Sequence, residues 1–210
     1  MMIKENYEQI KNEVGEDINI IAVTKYHTVE ETLKAYEAGV RHFGENRIEG
    51  FIEKRAALPD DAEVHFIGTM QSRKVKDVIG ELHYLHSLER ESVAKKIEQA
   101  GQHVVNCFIQ VNVSDESSKH GLKPDEVEAF IGKLKDYKYV KVIGLMTMAP
   151  HTEDSSIIEN TFEGLKELRD EIAAVYPDVT ELSMGMSNDY PIAVKHGASY
   201  IRIGSKIMGS

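Results

Sequence analysis

Short, largely apolar runs alternate with amphipathic, helix-spaced stretches along the whole chain, and no Gly/Ser-rich linker breaks the alternation. That regularity limits the possible folds more than any single residue does. The apolar runs fall at residues 20–25, 40–44, 63–68, 82–87, 103–112, 140–146, 180–184 and 199–204, the seventh being the weakest. Thr28 and Glu31 have the form of a capping box, so a helix starts there and carries Leu33, Tyr36 and Ala38 up to Gly39. Pro124 likewise fits the first turn of a helix through Val127, Phe130, Ile131 and Leu134. Strands that alternate with helices pair in parallel, and eight βα units are the number that closes a barrel. The expected fold is therefore α/β: a single (βα)8 TIM-type barrel over residues 1–210. An extra amphipathic helix at residues 2–14, with Ile3, Tyr7, Ile10 and Val14 on one face, precedes it and ends at Gly15. An open doubly wound sheet is the alternative arrangement.

Composition removes several function classes. A net charge of −10, from 25 basic and 35 acidic residues, argues against a nucleic-acid surface and against docking on anionic membranes. The first residues show no signal-peptide core, and no apolar run is long enough to span a bilayer, so a cytoplasmic protein is expected. Cys107, the only cysteine, sits among apolar neighbours and reads as a small buried hydrophobe. The histidines are scattered, and His83 and His86 point to opposite faces of one strand, so no metal site is assigned. Neither G-x-G-x-x-G nor G-x-x-x-x-G-K-[ST] follows a strand.

Lys25 ends the first apolar run, Ile20-Ile21-Ala22-Val23-Thr24-Lys25, immediately before the capped helix. In a parallel α/β fold that places an ammonium at the C-terminal edge of the sheet, where βα loops build sites. A lysine gives up its proton when desolvated, and its free amine forms imines with carbonyl compounds. Two later strand ends are rich in small residues: Ser183-Met184-Gly185-Met186-Ser187-Asn188 after strand seven, and Gly204-Ser205 after strand eight. Ser187 is placed to cap the helix that follows, and these two loops are the usual phosphate site of such barrels. The combination suggests one ligand bearing both a carbonyl and a phosphate. Pyridoxal 5′-phosphate is the common cofactor of that description, and Arg202, within Tyr200-Ile201-Arg202-Ile203, could meet its ring nitrogen. A guanidinium there would keep the ring nitrogen unprotonated and blunt the cofactor as an electron sink.

The segments Ile21-Ala22-Val23-Thr24-Lys25, His42-Phe43-Gly44-Glu45-Asn46, His65-Phe66-Ile67-Gly68, Val111-Asn112 with Lys119-His120-Gly121, Gly144-Leu145-Met146, Leu182-Ser183-Met184-Gly185-Met186-Ser187 and Ile201-Arg202-Ile203-Gly204-Ser205 carry a family resemblance. In order and at matching intervals, they resemble the pyridoxal phosphate homeostasis proteins over nearly the whole chain. The resemblance implies a barrel like the alanine racemase N-terminal domain, holding the cofactor as an internal aldimine on Lys25. Ser187, Gly204 and Ser205 match the family's phosphate contacts, and Arg202 its ring-nitrogen arginine. Asn46 and His65 match motif positions near the cofactor; nothing is transferred to Tyr26, His27 or Lys206.

The family is taken to supply or buffer the cofactor for PLP-dependent apo-enzymes, so no catalytic residue is assigned. The chain stops a few residues after its eighth strand, which leads us to expect no second domain, an open mouth and a monomer. A small amino-acid racemase or lyase is the competing function, with Lys25 as base and Tyr84 or His65 as the opposing group. A cofactor-free Schiff-base aldolase is a third. Lys119, in the polar loop after strand five, is a candidate to hold the aldehyde transiently during release.

Overall fold

Asn19–Val23 (β1) bonds on one edge to His42–Glu45 (β2) and on the other to Tyr200–Ile203 (β8), so the sheet in this computed structural model closes on itself. The structure describes residues 2–114 and 120–209. The remaining strands are Glu63–Phe66 (β3), Tyr84–Leu88 (β4), Val105–Gln110 (β5), Val140–Met146 (β6) and Glu181–Ser183 (β7). All eight described strands pair in chain order, each parallel to the next. The open doubly wound sheet is thereby set aside.

The helices are Met2–Val14 (α1), Val29–Glu37 (α2), Ile48–Ala57 (α3), Val75–Val78 (α4), Glu91–Ala100 (α5), Pro124–Leu134 (α6), Ser155–Ala173 (α7), Tyr190–Lys195 (α8) and Ser205–Met208 (α9). The capping box at Thr28 is formed: its Oγ1 accepts the Glu31 N–H at 3.1 Å, and Glu31 Oε1 accepts the Thr28 N–H at 3.0 Å. Every strand but β6 shifts by one or two residues from its apolar run, and three features stand out. β2 extends through Glu45 and α3 begins only at Ile48, because Glu45 stays in the strand and turns its side chain toward Lys54 of α3. A single turn of 3-10 helix at Ser72–Lys74 precedes the short α4. α7 ends at Ala173, and the chain then turns through Tyr176 into β7.

Two apolar layers result. The larger lies between strands and helices, where Ile20, Ala22, Phe43, Val64, Leu85 and Ile203 meet helical residues such as Ala35, Phe51, Ile97 and Phe162. A second, small cluster of Ile21, Phe108, Met146 and Tyr200 lies inside the barrel. Successive strand residues alternate between the two layers, so Ile20 and Ile21 serve different cores. Among the described residues, no helix is long and apolar enough to cross a membrane. Cys107 is buried, and burial raises its thiol pKa.

Gly144 on β6 pairs with Glu181 on β7, and a Cβ at Gly144 would overlap the Glu181 carbonyl oxygen. Both positions are backbone within one ladder, so neither can yield cheaply. Gly144→Ala should cost about 1–3 kcal/mol, read as a lower midpoint in urea unfolding. An unchanged midpoint would show that β6 and β7 can separate locally.

Candidate functional site

Thr24 to His27 form a tight turn, closed by the His27 N–H on the Thr24 carbonyl at 3.0 Å. Tyr26 takes a left-handed φ of 68° there, a conformation usually left to glycine. Lys25 is thus fixed by its backbone at the strand end, with Nζ 5.9 Å from the exposed Tyr26 ring centroid. Beneath the turn is an ion pair that the sequence pattern does not reveal. Lys54 Nζ lies 3.0 Å from Glu45 Oε2, both side chains being 3% exposed, and Thr24 Oγ1 donates to the same oxygen at 2.5 Å. Lys54 Nζ also donates to the Thr24 carbonyl at 3.4 Å. Gly50 permits this close approach of α3, since a Cβ there would overlap Glu45 Oε1.

A cavity of about 1050 Å³ opens at the C-terminal mouth of the barrel. Lys25, Asn46, Ser187, Arg202, Gly204 and Ser205 all line it, so four βα units bring six of the expected site residues together. An amine, a guanidinium, an amide and two hydroxyls therefore face one volume. That donor set suits a ligand with an aldehyde, an anionic group and a ring acceptor. Gly68 lets β3 pass close to Asn46, because any Cβ would overlap the Asn46 backbone.

The seventh expected residue, His65, does not line the cavity. It is buried in the barrel interior, where its ring stacks on Tyr84 at 4.4 Å between centroids. As the penultimate residue of β3, it sits below the mouth, which Ile67 and Gly68 line instead. Ser187 also needs a correction: it does not cap the helix after β7. α8 starts at Tyr190 with Asp189 as its cap residue, and Ser187 Oγ accepts the Lys206 N–H of α9 at 3.3 Å. The two phosphate-type loops are thereby stitched to each other. Lys119 lies outside the described residues.

Arg202 is buried, as its apolar strand suggested. Nη1 donates to Ser183 Oγ at 2.5 Å, and Nη2 to the Thr147 carbonyl at 3.0 Å. Burial pushes its pKa down to about 10, against the pull of Asp189. Asp189 is itself raised by burial, opposed by its hydrogen bond from the Met186 N–H at 2.7 Å and by Arg202.

This site stands on a barrel whose family is shown by comparison. A family model described as the alanine racemase N-terminal domain matches residues 2–210. A pyridoxal phosphate homeostasis protein of Schizosaccharomyces pombe is 36% identical over 100% of this chain and 90% of its own. The chain belongs to the pyridoxal phosphate homeostasis protein family. The structure of PipY from Synechococcus elongatus PCC7942 with PLP bound superposes with a TM-score of 0.91 at 30% identity, covering 99% of this chain and 100% of that one. Alanine racemase from Corynebacterium glutamicum shares the fold at 13% identity, with a TM-score of 0.82 over 98% of this chain and 59% of its own.

Within this family barrel, the histidines are less scattered than they look. His42, His65 and His86 begin or occupy β2, β3 and β4 and form one hydrogen-bonded row. His42 Nδ1 lies 2.9 Å from His65 Nε2, His65 Nδ1 lies 2.9 Å from His86 Nε2, and His86 Nδ1 lies 2.8 Å from Ser183 Oγ. The signal was their spacing of one βα unit, 23 and then 21 residues. His83, by contrast, stacks on His103 at 4.1 Å, away from this row. Among the described residues no group of three or more His, Cys, Asp or Glu could hold a metal ion.

Burial holds His65 and His86 well below the ordinary imidazole pKa, reinforced by their charged or titratable neighbours, and lowers His42 as well. Unfolded histidines take up protons below pH about 6.5, whereas these stay neutral while folded, so acid favours the unfolded chain. Between about pH 6 and the lowered folded values, His65 and His86 should each remove about 1.4 kcal/mol of stability per pH unit. Urea unfolding at a series of pH values is the measurement, and stability that holds level below about pH 6 would contradict neutral burial.

Proposed function

We propose that the protein holds pyridoxal 5′-phosphate covalently, through an imine between Lys25 Nζ and the aldehyde carbon formed with loss of water. Arg202 faces the ring nitrogen, Ser187, Gly204 and Ser205 receive the phosphate, and Asn46 lies beside the cofactor. His65 acts from the layer beneath. The reading rests above all on the convergence of Lys25, Arg202, Ser187 and Ser205 on one cavity. The PLP-bound relative, alike over nearly all of both chains, supports it.

In this reading the protein is a carrier or buffer in intracellular PLP homeostasis, a single domain over residues 1–210 working as a cytoplasmic monomer and passing the cofactor to PLP-dependent apo-enzymes. Bound pyridoxal phosphate supplies an electron-withdrawing ring, whose strength depends on a proton at its nitrogen. A guanidinium donates without surrendering a proton at neutral pH, so Arg202 leaves that nitrogen unprotonated and favours retention over turnover. The competing racemase or lyase needs a second proton carrier opposite Lys25. Tyr84 and His65, the residues considered for it, stack on each other in the barrel interior, and neither lines the cavity.

Borohydride reduction of the loaded protein followed by peptide mapping should place the label on Lys25, and Lys25→Ala should abolish it while leaving the thermal midpoint nearly unchanged. A labelled peptide lacking Lys25 would overturn the assignment. Arg202→Glu should weaken cofactor binding roughly 10- to 100-fold, through loss of a charge-assisted hydrogen bond, and move the absorption toward a protonated ring. Incubation with L- and D-amino acids should give racemisation and keto-acid formation no faster than free cofactor, alongside transfer to an apo-enzyme. Lys25-dependent turnover well above that level would make the protein an enzyme, and a colourless protein unable to take up the cofactor would favour the aldolase.

A further inference from the structure

We propose that His42, His65, His86 and Ser183 form one tautomer-locked chain through the barrel interior, that Arg202 sets its direction, and that Ser183 and His86 are positioning residues for the guanidinium. A neutral imidazole has one N–H and one bare nitrogen, so each His–His bond needs a donor facing an acceptor. In an unbroken row, fixing one proton fixes the rest. Only two neutral arrangements exist: every proton points toward Ser183, or every proton points away from it.

Arg202 decides between them. A guanidinium only donates, so its Nη1–H occupies one lone pair of Ser183 Oγ. Among the described residues, the Ser183 hydroxyl has one other partner, His86 Nδ1. If His86 donated through Nδ1, the serine proton would be left without an acceptor in a fully buried position. If Ser183 donates instead, every group is used. Ser183 O–H then donates to His86 Nδ1, His86 Nε2–H to His65 Nδ1, and His65 Nε2–H to His42 Nδ1. His42 keeps its proton on Nε2. An imidazolium at His65 or His86 would set donor against donor.

The row also explains how the guanidinium is held. Ser183 is obliged to keep a lone pair toward Arg202, and the Thr147 carbonyl takes a second donor. The remaining N–H groups are left for whatever enters the cavity that Arg202 lines. Ring stacking clamps the row from its faces: His86 lies on Phe108 at 4.2 Å and 19°, and His65 on Tyr84 at 4.4 Å and 29°.

The test uses the cofactor-free protein, so its failure is separable from failure of the cofactor reading, which the borohydride experiment addresses. Protein labelled with 15N-histidine and 15N-arginine is studied by long-range 1H–15N correlation near neutral pH, with assignment by His42→Gln and His65→Gln. Both His65 and His86 should be neutral Nε2–H tautomers, and Arg202 should show separately resolved Nη protons. An Nδ1–H tautomer, a tautomer mixture or an imidazolium at either histidine overturns the proposal. Ser183→Ala should make His86 and His65 lose their single tautomer together and average the Arg202 Nη signals, and Ser183→Thr should restore both. A change at His86 that leaves His65 untouched, or resolved Nη signals that persist in Ser183→Ala, also overturns it. Should Ser183→Ala fail to fold, Arg202→Met removes the direction-setting donor, and the same loss of a single tautomer at both histidines is expected; unchanged tautomers would overturn the proposal.

Discussion

The barrel interior is organised around one buried cation. Arg202 is 4% exposed, and a charge withdrawn from water persists only if its donors are met. Ser183 and the Thr147 carbonyl meet two of them. Barrels of this type commonly fill their interior with layers of branched aliphatic side chains. Here the inner cluster is small, Ile21 with Phe108, Met146 and Tyr200 and with Ile143 packed against it, and imidazoles lie alongside. Each inner imidazole meets two needs at once: its edges complete the hydrogen-bonded row and its faces stack on Phe108 or Tyr84.

Such an interior is tolerable because stability is supplied elsewhere. The continuous apolar layer lies outside the strands, between barrel and helices, and every described strand contributes to it. Polar groups within the barrel can then be selected for the site at its mouth. The same division appears at β1. Ile20 and Ala22 pack outward, Ile21 packs inward, and Thr24, in alternation with them, meets the Glu45–Lys54 pair on the helix side. Removing one member of a buried ion pair is far more damaging than replacing both, so that pair anchors the strand end as a unit.

The fold was legible because its evidence is periodic. Eight alternations survive errors of one or two residues at any boundary, and the capping box at Thr28 or the proline opening α6 needs only local chemistry. The mouth residues were legible for a related reason: strand ends in a barrel converge on one face, so Lys25, Ser187 and Ser205 had to approach one another. The Glu45–Lys54 pair was not legible, since nothing in a strand-to-helix passage marks its acidic residue as buried against the next helix. Ser187 looked like a cap for α8 because it is the right residue type just upstream, yet the turn continues to Asp189 and frees its hydroxyl for Lys206. His65 was placed too near the mouth because the motif does not mark where β3 ends, and the strand runs on past it to Phe66.

Depth is what separates Lys25 from His65. Lys25 lies beyond the end of β1 and His65 within β3, so the amine meets the cavity while the imidazole does not. Tyr26 adds to that separation. A non-glycine residue in the left-handed region costs about 1–2 kcal/mol, and the strain is kept at the residue next to Lys25 although Tyr26 is 82% exposed. The surrounding bonds over-determine it. The Thr24–His27 turn fixes one side, the Thr28–Glu31 box starts α2 on the other, and the Glu45–Lys54 pair holds Thr24 from below. A flexible lysine stem is thus mounted on a rigid turn. That arrangement limits where the amine can reach while leaving it open to the cavity, which suits the proposed carrier role.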